Sequence, residues 1–204
     1  MGLKFEKILA IGAHPDDIEY SCLGFLLKQK ALGASVIAYA ASLGGINDST
    51  SGLERKSESD AALSLCDIQN FQTLNNNFNY FEIEAEIRKF VLKFDIDCVL
   101  VHSPLDTHQD HRIIHDITLS AIRRIGVSLI LYRSVSTTRD FVANYQVGID
   151  EFMDLKLKSL QLHKSQQAKI YMQNHMIKNF HTHYNLFEDS NTFYEAYMIY
   201  SILD

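Results

Sequence analysis

The sequence predicts an α/β fold: one domain over residues 1–204, built on a Rossmann-like, mainly parallel sheet flanked by helices. Three observations predict it. Apolar runs with little polar alternation recur at 8–13, 35–41 and 97–101, the pattern of strands buried on both faces. Helical patterns separate these runs, which gives strand–helix–strand units and parallel pairing. Two of the runs also break at a proline into clusters of His and Asp, and the carboxyl edge of such a sheet is where ligands sit.

The first run, Ile8-Leu9-Ala10-Ile11-Gly12-Ala13, stops at His14-Pro15-Asp16-Asp17-Ile18-Glu19, because Pro15 lacks an amide hydrogen and biases His14 toward extended backbone. A helix is expected over 18–32, with Ile18, Cys22, Phe25, Leu26 and Leu32 near helical spacing and Gly33 as its stop. The strand at 35–41 ends in Ser42-Leu43-Gly44-Gly45, and the polar stretch 47–52 reads as a loop over the same edge. The pattern predicts a helix over 54–66 with Ala61, Ala62 and Leu65 facing inward, then a strand within 67–74. A helix over 82–94 is amphipathic, with Ile83, Ile87, Phe90, Val91 and Phe94 on one face. After the strand at 97–101 the chain reads helical from His108. Strands follow at 128–132 and 145–149, a helix at 150–164 and a last strand at 194–203.

Bulk properties exclude several functions. Hydrophobic residues make up 47% and neither Gly nor Pro is enriched, so a packed core is expected. A net charge of -6 without a basic run argues against a nucleic-acid partner. Cys22, Cys66 and Cys98 are an odd, widely spaced set, which suits a reducing compartment and forms no thiolate metal motif. No secretory signal opens the chain, Glu6 spoils a myristoylation motif, and no segment has the length of a membrane span. The expectation is a cytoplasmic protein with a small-molecule partner, and a homo-oligomer is compatible with these features.

Alone, Asp16 or Asp17 reads as a helix cap and His14 as a core histidine. The second cluster changes the weighing. His102-Ser103-Pro104-Leu105-Asp106-Thr107-His108-Gln109-Asp110-His111-Arg112 also follows a buried strand, so both clusters should reach one sheet edge. Catalytic zinc usually takes three His or carboxylate ligands and keeps a position for water. His14, one carboxylate of the Asp16/Asp17 pair, and His111 supply that set. The other carboxylate is then a candidate general base, with His108 to polarise or protonate the reacting group and Asp110 beside it as its orienter.

These two motifs resemble those of the PIG-L/LmbE family of zinc-dependent N-acetylglucosaminyl deacetylases. Ala13 through Glu19 match that family's Ala-His-Pro-Asp-Asp-x-Glu, and His108 to Arg112 its His-x-Asp-His-Arg. The resemblance implies His14, Asp17 and His111 as zinc ligands, Asp16 as general base, and His108 with Asp110 as the pair stabilising the tetrahedral intermediate. It implies removal of acetyl from an N-acetylated amino sugar, with Zn2+ as cofactor and Fe2+ or Co2+ able to substitute. Weaker matches are Arg55 and Glu58, similar to an Arg-x-x-Glu helix whose Arg binds substrate, Leu162 to Gln166, and Glu195-Ala196-Tyr197. The chain departs from the family at Ser21 and Leu23, where Gly is frequent, and at Asn75-Asn76-Asn77, which replace an acidic loop. His102-Ser103-Pro104 with Gln109 is similar to the branch found with surface-polysaccharide biosynthesis.

Competing readings are an amidase on thiol conjugates of an amino sugar, a zinc protein without catalysis, and a nucleotide-binding module. The last lacks a Gly-rich phosphate cradle, and its phosphates would meet carboxylates. A zinc protein without catalysis would need none of Asp16, His108 and Asp110. His115 is read as a helix-surface or supporting residue, and His181 with His183 as one face of an extended segment.

Overall fold

A computed structural model of the chain describes residues 2–44, 52–74, 78–182 and 192–203. Gly45, most of the expected loop at 47–52, Asn75 to Asn77 and His183 lie outside the described residues. The elements run in the order β1 (Lys7–Gly12), α1 (Asp17–Ser21), α2 (Leu23–Ala31), β2 (Ser35–Ala40), α3 (Gly52–Ser64), β3 (Gln69–Gln72), α4 (Tyr80–Phe94) and β4 (Cys98–His102). They continue with α5 (Gln109–Ile122), β5 (Ser128–Tyr132), β6 (Tyr145–Gly148), α6 (Asp150–Gln161), α7 (Asn174–Thr182) and β7 (Tyr194–Ser201).

One seven-stranded sheet has the order β3-β2-β1-β4-β5-β7-β6. The first five strands of that order are parallel to one another, and β7 runs antiparallel to both β5 and β6. Successive residues of β1 explain its unbroken apolar run. Ile8 and Ala10 face α1, α2 and α6, whereas Leu9 and Ile11 face α4 and α5. Both faces are dry, so both sets must be apolar.

The expected helix over 18–32 is two helices. Cys22 leaves helical geometry at φ -138, and the Glu195 carboxylate accepts from the backbone N–H groups of Gly24 at 2.8 Å and Phe25 at 2.6 Å. These amides open α2, and a carboxylate there satisfies donors that would otherwise be orphaned. Gly24 cannot carry a side chain, since a Cβ would lie 2.5 Å from Ile149 Cγ2. Leu32 is exposed instead of facing the core. The inner face of α3 is also polar where an apolar one was expected: Arg55, Ser59, Ala62 and Leu63 are buried, while Ala61 and Leu65 point outward. His181 lies buried in α7, with Nδ1 3.0 Å from the Tyr194 carbonyl, and so belongs to no extended segment.

Candidate active site

Strands β1 and β4 are adjacent and parallel, and the chain leaves them toward opposite sides of the sheet. That arrangement opens a crevice at their carboxyl ends, the usual place for a ligand in such sheets. Both polar clusters arrive there, His14 to Asp17 just past β1 and His102 to His111 at the end of β4 and the start of α5.

Around the first turn, the His14 N–H donates to Asp17 Oδ2 at 2.8 Å, which holds the Asp17 carboxylate back toward β1. Asp16 adopts φ 101, a left-handed backbone that Asp tolerates better than most residues. The two neighbouring carboxylates therefore point to different partners. Asp17 lies 3.5 Å from His14 Nδ1, 3.5 Å from His111 Nε2 and 3.1 Å from His102 Nε2. Asp16 meets Arg55, whose Nη2 donates to Asp16 Oδ1 at 3.3 Å and to the Pro15 carbonyl at 3.0 Å. Burial raises Asp16 above the usual carboxylate range and the Asp17 charge adds to it, with Arg55 opposing. Burial would raise Asp17 too, but the charges and hydrogen bonds of His111 and His102 carry it well below that range. Adjacent carboxyls driven apart in this way are suited to different tasks.

His14 and His111 each place their other ring nitrogen on a carboxylate. His14 Nε2 is 2.9 Å from Asp110 Oδ2, and His111 Nδ1 is 3.0 Å from Asp106 Oδ2. Asp106 is itself buried and accepts from the hydroxyls of Ser134 at 2.5 Å and Thr137 at 3.4 Å. Burial lowers both imidazoles, yet the Asp110 and Asp17 hydrogen bonds lift His14 to about 9, and Asp17 with Asp106 lifts His111 to about 10.

His108 is exposed and caps α5 from a non-helical position, its Nδ1 accepting from the Asp110 N–H at 3.2 Å. Its ring stacks on His111 at 4.6 Å. The expected pairing of the Asp110 carboxylate with His108 is absent, because that carboxylate is on His14. The charged form of His108 is not favoured either: burial and the charges of His111 and His14 push its pKa below the ordinary value. The backbone bond to Nδ1 leaves the hydrogen on Nε2, so His108 is a neutral N–H donor.

Arg55, expected to bind substrate, is 5% exposed and reaches the site through Asp16. A Cβ on Gly44 would stand 2.1 Å from Arg55 Nη1, so glycine there is a condition for this placement. Behind it, Glu19 accepts from Ser59 Oγ at 2.9 Å and pairs with His163 Nε2 at 3.0 Å, while Ser165 donates to Glu58 through N–H at 2.8 Å and Oγ at 2.6 Å. Two of the weaker sequence matches, the Arg55–Glu58 helix and the Leu162–Gln166 segment, thus meet behind the first motif. Sequence reasoning missed His102 and Asp106 as members of the site; of the two roles read for His115, it fills the supporting one, buried and with Nδ1 on the His102 carbonyl at 2.9 Å. Two sets of ligand atoms lie within 4.8 Å of one another, His14/His108/His111 and Asp17/His102/His111.

The family model described as PIG-L, GlcNAc-PI de-N-acetylase, matches residues 9–122, a span that includes both clusters. A protein of Escherichia coli (strain K12) called uncharacterized deacetylase YaiS is 30% identical over 176 residues, 79% of this chain and 92% of that one. The N,N'-diacetylchitobiose deacetylase of Pyrococcus horikoshii, solved with its inhibitor, shares the fold with a TM-score of 0.80 at 20% identity, covering 96% of this chain and 84% of that chain. So does GalB, the 4-carboxy-2-hydroxymuconate hydratase of Pseudomonas putida KT2440, with a TM-score of 0.79 at 11% identity and 98% of each chain covered. A shared backbone therefore does not select the reaction. The sequence matches do separate these relatives: with the family model over more than half its length and a deacetylase relative over most of it, the chain belongs to the PIG-L/LmbE family of deacetylases.

Proposed function

We propose that the chain is a zinc-dependent hydrolase that removes the N-acetyl group from an N-acetylated amino sugar, a GlcNAc-type glycoconjugate or sugar intermediate. The observation that carries this reading is the pairing of Asp17 with His14 and His111 at 3.5 Å each, beside a second buried carboxylate, Asp16, that is held apart from them. The residues fit a divalent metal. Two imidazoles and one carboxylate are the donor types of a catalytic zinc site, and each imidazole has its remote nitrogen on a carboxylate, as metal-binding histidines commonly do.

In this reading His14, Asp17 and His111 hold the ion, which when bound supplies Lewis-acid polarisation and a water acidified to about pKa 7. Asp16, raised by burial, accepts the proton of the attacking water. Arg55 keeps that carboxylate in place from behind. His108 points Nε2–H at the oxygen that gains negative charge, and as a neutral donor at a helix N-terminus it costs no charge separation there. Asp16, having taken the proton, returns it to the departing amine. The His102-Ser103-Pro104 likeness favours an intermediate of surface-polysaccharide synthesis as substrate, and the chitobiose deacetylase shows this fold acting on an acetylated sugar.

Acetate release by zinc-loaded protein, measured across a panel of N-acetylated sugars and nucleotide sugars, tests the proposal. Turnover of at least one, lost in Asp16→Ala, is expected. Metal binding without acetate release from any of them would overturn it.

A further inference from the structure

His102 is the last residue of β4 and is fully buried, an ionisable side chain ending an otherwise apolar strand. Its ring lies nearly flat on His111, with centroids 3.7 Å apart and planes at 18°, and the tilted Tyr132 ring packs against it at 4.6 Å. The Tyr132 hydroxyl is fixed on the Ile11 carbonyl at 2.7 Å, and His115 fixes the His102 carbonyl. The ring therefore has little freedom to turn. Its Nε2 sits 3.1 Å from Asp17 Oδ2 and 3.3 Å from the Ala13 N, while Nδ1 is buried with no partner among the described residues.

One nitrogen cannot both accept from Ala13 and donate to Asp17. With the hydrogen on Nδ1, a buried donor is orphaned and the Nε2 lone pair faces a carboxylate oxygen. With the hydrogen on Nε2, the carboxylate receives a charge-assisted bond at 3.1 Å, while the Nδ1 acceptor and the Ala13 N–H, 3.3 Å away, go unpaired; the charge-assisted bond to a buried carboxylate outweighs the longer neutral one from Ala13. The second tautomer is favoured. Asp17 Oδ2 then carries two N–H donors, from His102 and from the His14 backbone at 2.8 Å. Among the described residues its other oxygen, Oδ1, has only His111 Nε2 at 3.5 Å, longer than a good hydrogen bond.

We propose that His102 is a positioning residue whose Nε2–H, together with the His14 N–H, occupies Asp17 Oδ2 and so leaves Oδ1 as the single metal-binding oxygen. The inference rests on the metal site proposed above, though not on the substrate. It makes His102 a donor to a ligand and no ligand itself, although it stands close enough to Asp17 and His111 to be mistaken for one.

The test compares zinc dissociation constants, by competition with a chromophoric chelator, and visible spectra of the cobalt-loaded protein. His102→Gln, whose amide nitrogen replaces the N–H donor, should bind zinc within about threefold of wild type and keep its cobalt spectrum. His102→Phe keeps the stack on His111 without the donor and should bind about 10- to 100-fold more weakly, the usual effect of losing a partner of a metal ligand. If His102→Phe does not fold, His102→Ala carries the same expectation. Wild-type affinity in the variant lacking the donor overturns the proposal, as does equal weakening in both variants, which would make His102 a ligand. Wild-type protein that binds no zinc removes the metal site and this inference together. Zinc binding without acetate release would remove only the proposed reaction, leaving the ladder of affinities as a valid test.

Discussion

Two groups of buried ionisable residues lie on this sheet, and they treat their hydrogen bonds differently. In the first, Lys156 and Glu195 are both fully buried, and each carboxylate oxygen has two donors. Oε1 receives Gly24 N–H at 2.8 Å and Lys156 Nζ at 2.7 Å, while Oε2 receives Phe25 N–H at 2.6 Å and the Tyr197 hydroxyl at 2.7 Å. In the second, at the ends of β1 and β4, contacts to Asp17 stretch to 3.5 Å, and His102 Nδ1 and Arg55 Nε are buried without partners among the described residues. A buried charge is tolerated when its bonds are complete. The first group is complete and serves the fold. The second leaves contacts long and buried nitrogens unpaired among the described residues, as expected of groups arranged for a further ligand.

The largest expected effect comes from breaking the complete group. Lys156→Met leaves Glu195 charged and buried without its cation, and should lower stability by about 3–5 kcal/mol. Urea unfolding reads this, and zinc affinity of the folded variant should stay at the wild-type value. A loss of affinity without a loss of stability would mean that the two groups are not separable.

At the second group the effects should fall on turnover. Asp16→Ala should keep its zinc in a metal assay after dialysis while kcat falls by about 10²–10⁴-fold. His108→Ala should cost about 10²–10³-fold in kcat, with KM nearly unchanged, because its donor bond forms mainly as the oxyanion develops. Loss of zinc in Asp16→Ala, with retention in Asp17→Ala, would exchange the roles of the two carboxylates.

The smallest effect is a pH dependence of the metal-free protein. His14 is raised to about 9 and His111 to about 10, against about 6.5 in an unfolded chain. A raised imidazole binds its proton more tightly when folded. The stability it contributes is complete below pH 6.5 and is lost as pH rises through 9 to 10. Zinc requires the unprotonated rings, and pH 7 lies well below both values, so binding there should release about two protons, measurable by calorimetry in buffers of different ionisation enthalpy. Release of none would mean that the two rings are neutral before zinc arrives, and the rise of both pKa values would be refuted.

The parallel sheet and the meeting of the two clusters were legible because both depend on local pattern: apolar runs cut by proline, followed by His and Asp. What escaped notice depends on contacts across the chain. The break between α1 and α2 is made by Glu195, 171 residues beyond Gly24. The polar inner face of α3 exists because Arg55 and Ser59 have Asp16 and Glu19 to meet. His102 carried one local signal, a histidine ending an apolar strand, which a buried polar group needing a partner should have raised. Asp106 had no such mark, and its role appears only once α5 turns His111 back onto it.

Strand β7 gives the molecule an order of assembly. It lies between β5 and β6, so β6 has no neighbour in the sheet until β7 is in place. Glu195, which opens α2 and neutralises Lys156, travels on that same strand. During synthesis the strands bearing both histidine clusters leave the ribosome well before residue 194. They can pair early, but the lysine waits without its counter-ion and α2 without its cap. A ribosome stalled before β7 therefore holds a chain with every proposed metal ligand and an unfinished core, a natural client for a chaperone that recognises unpaired sheet edges.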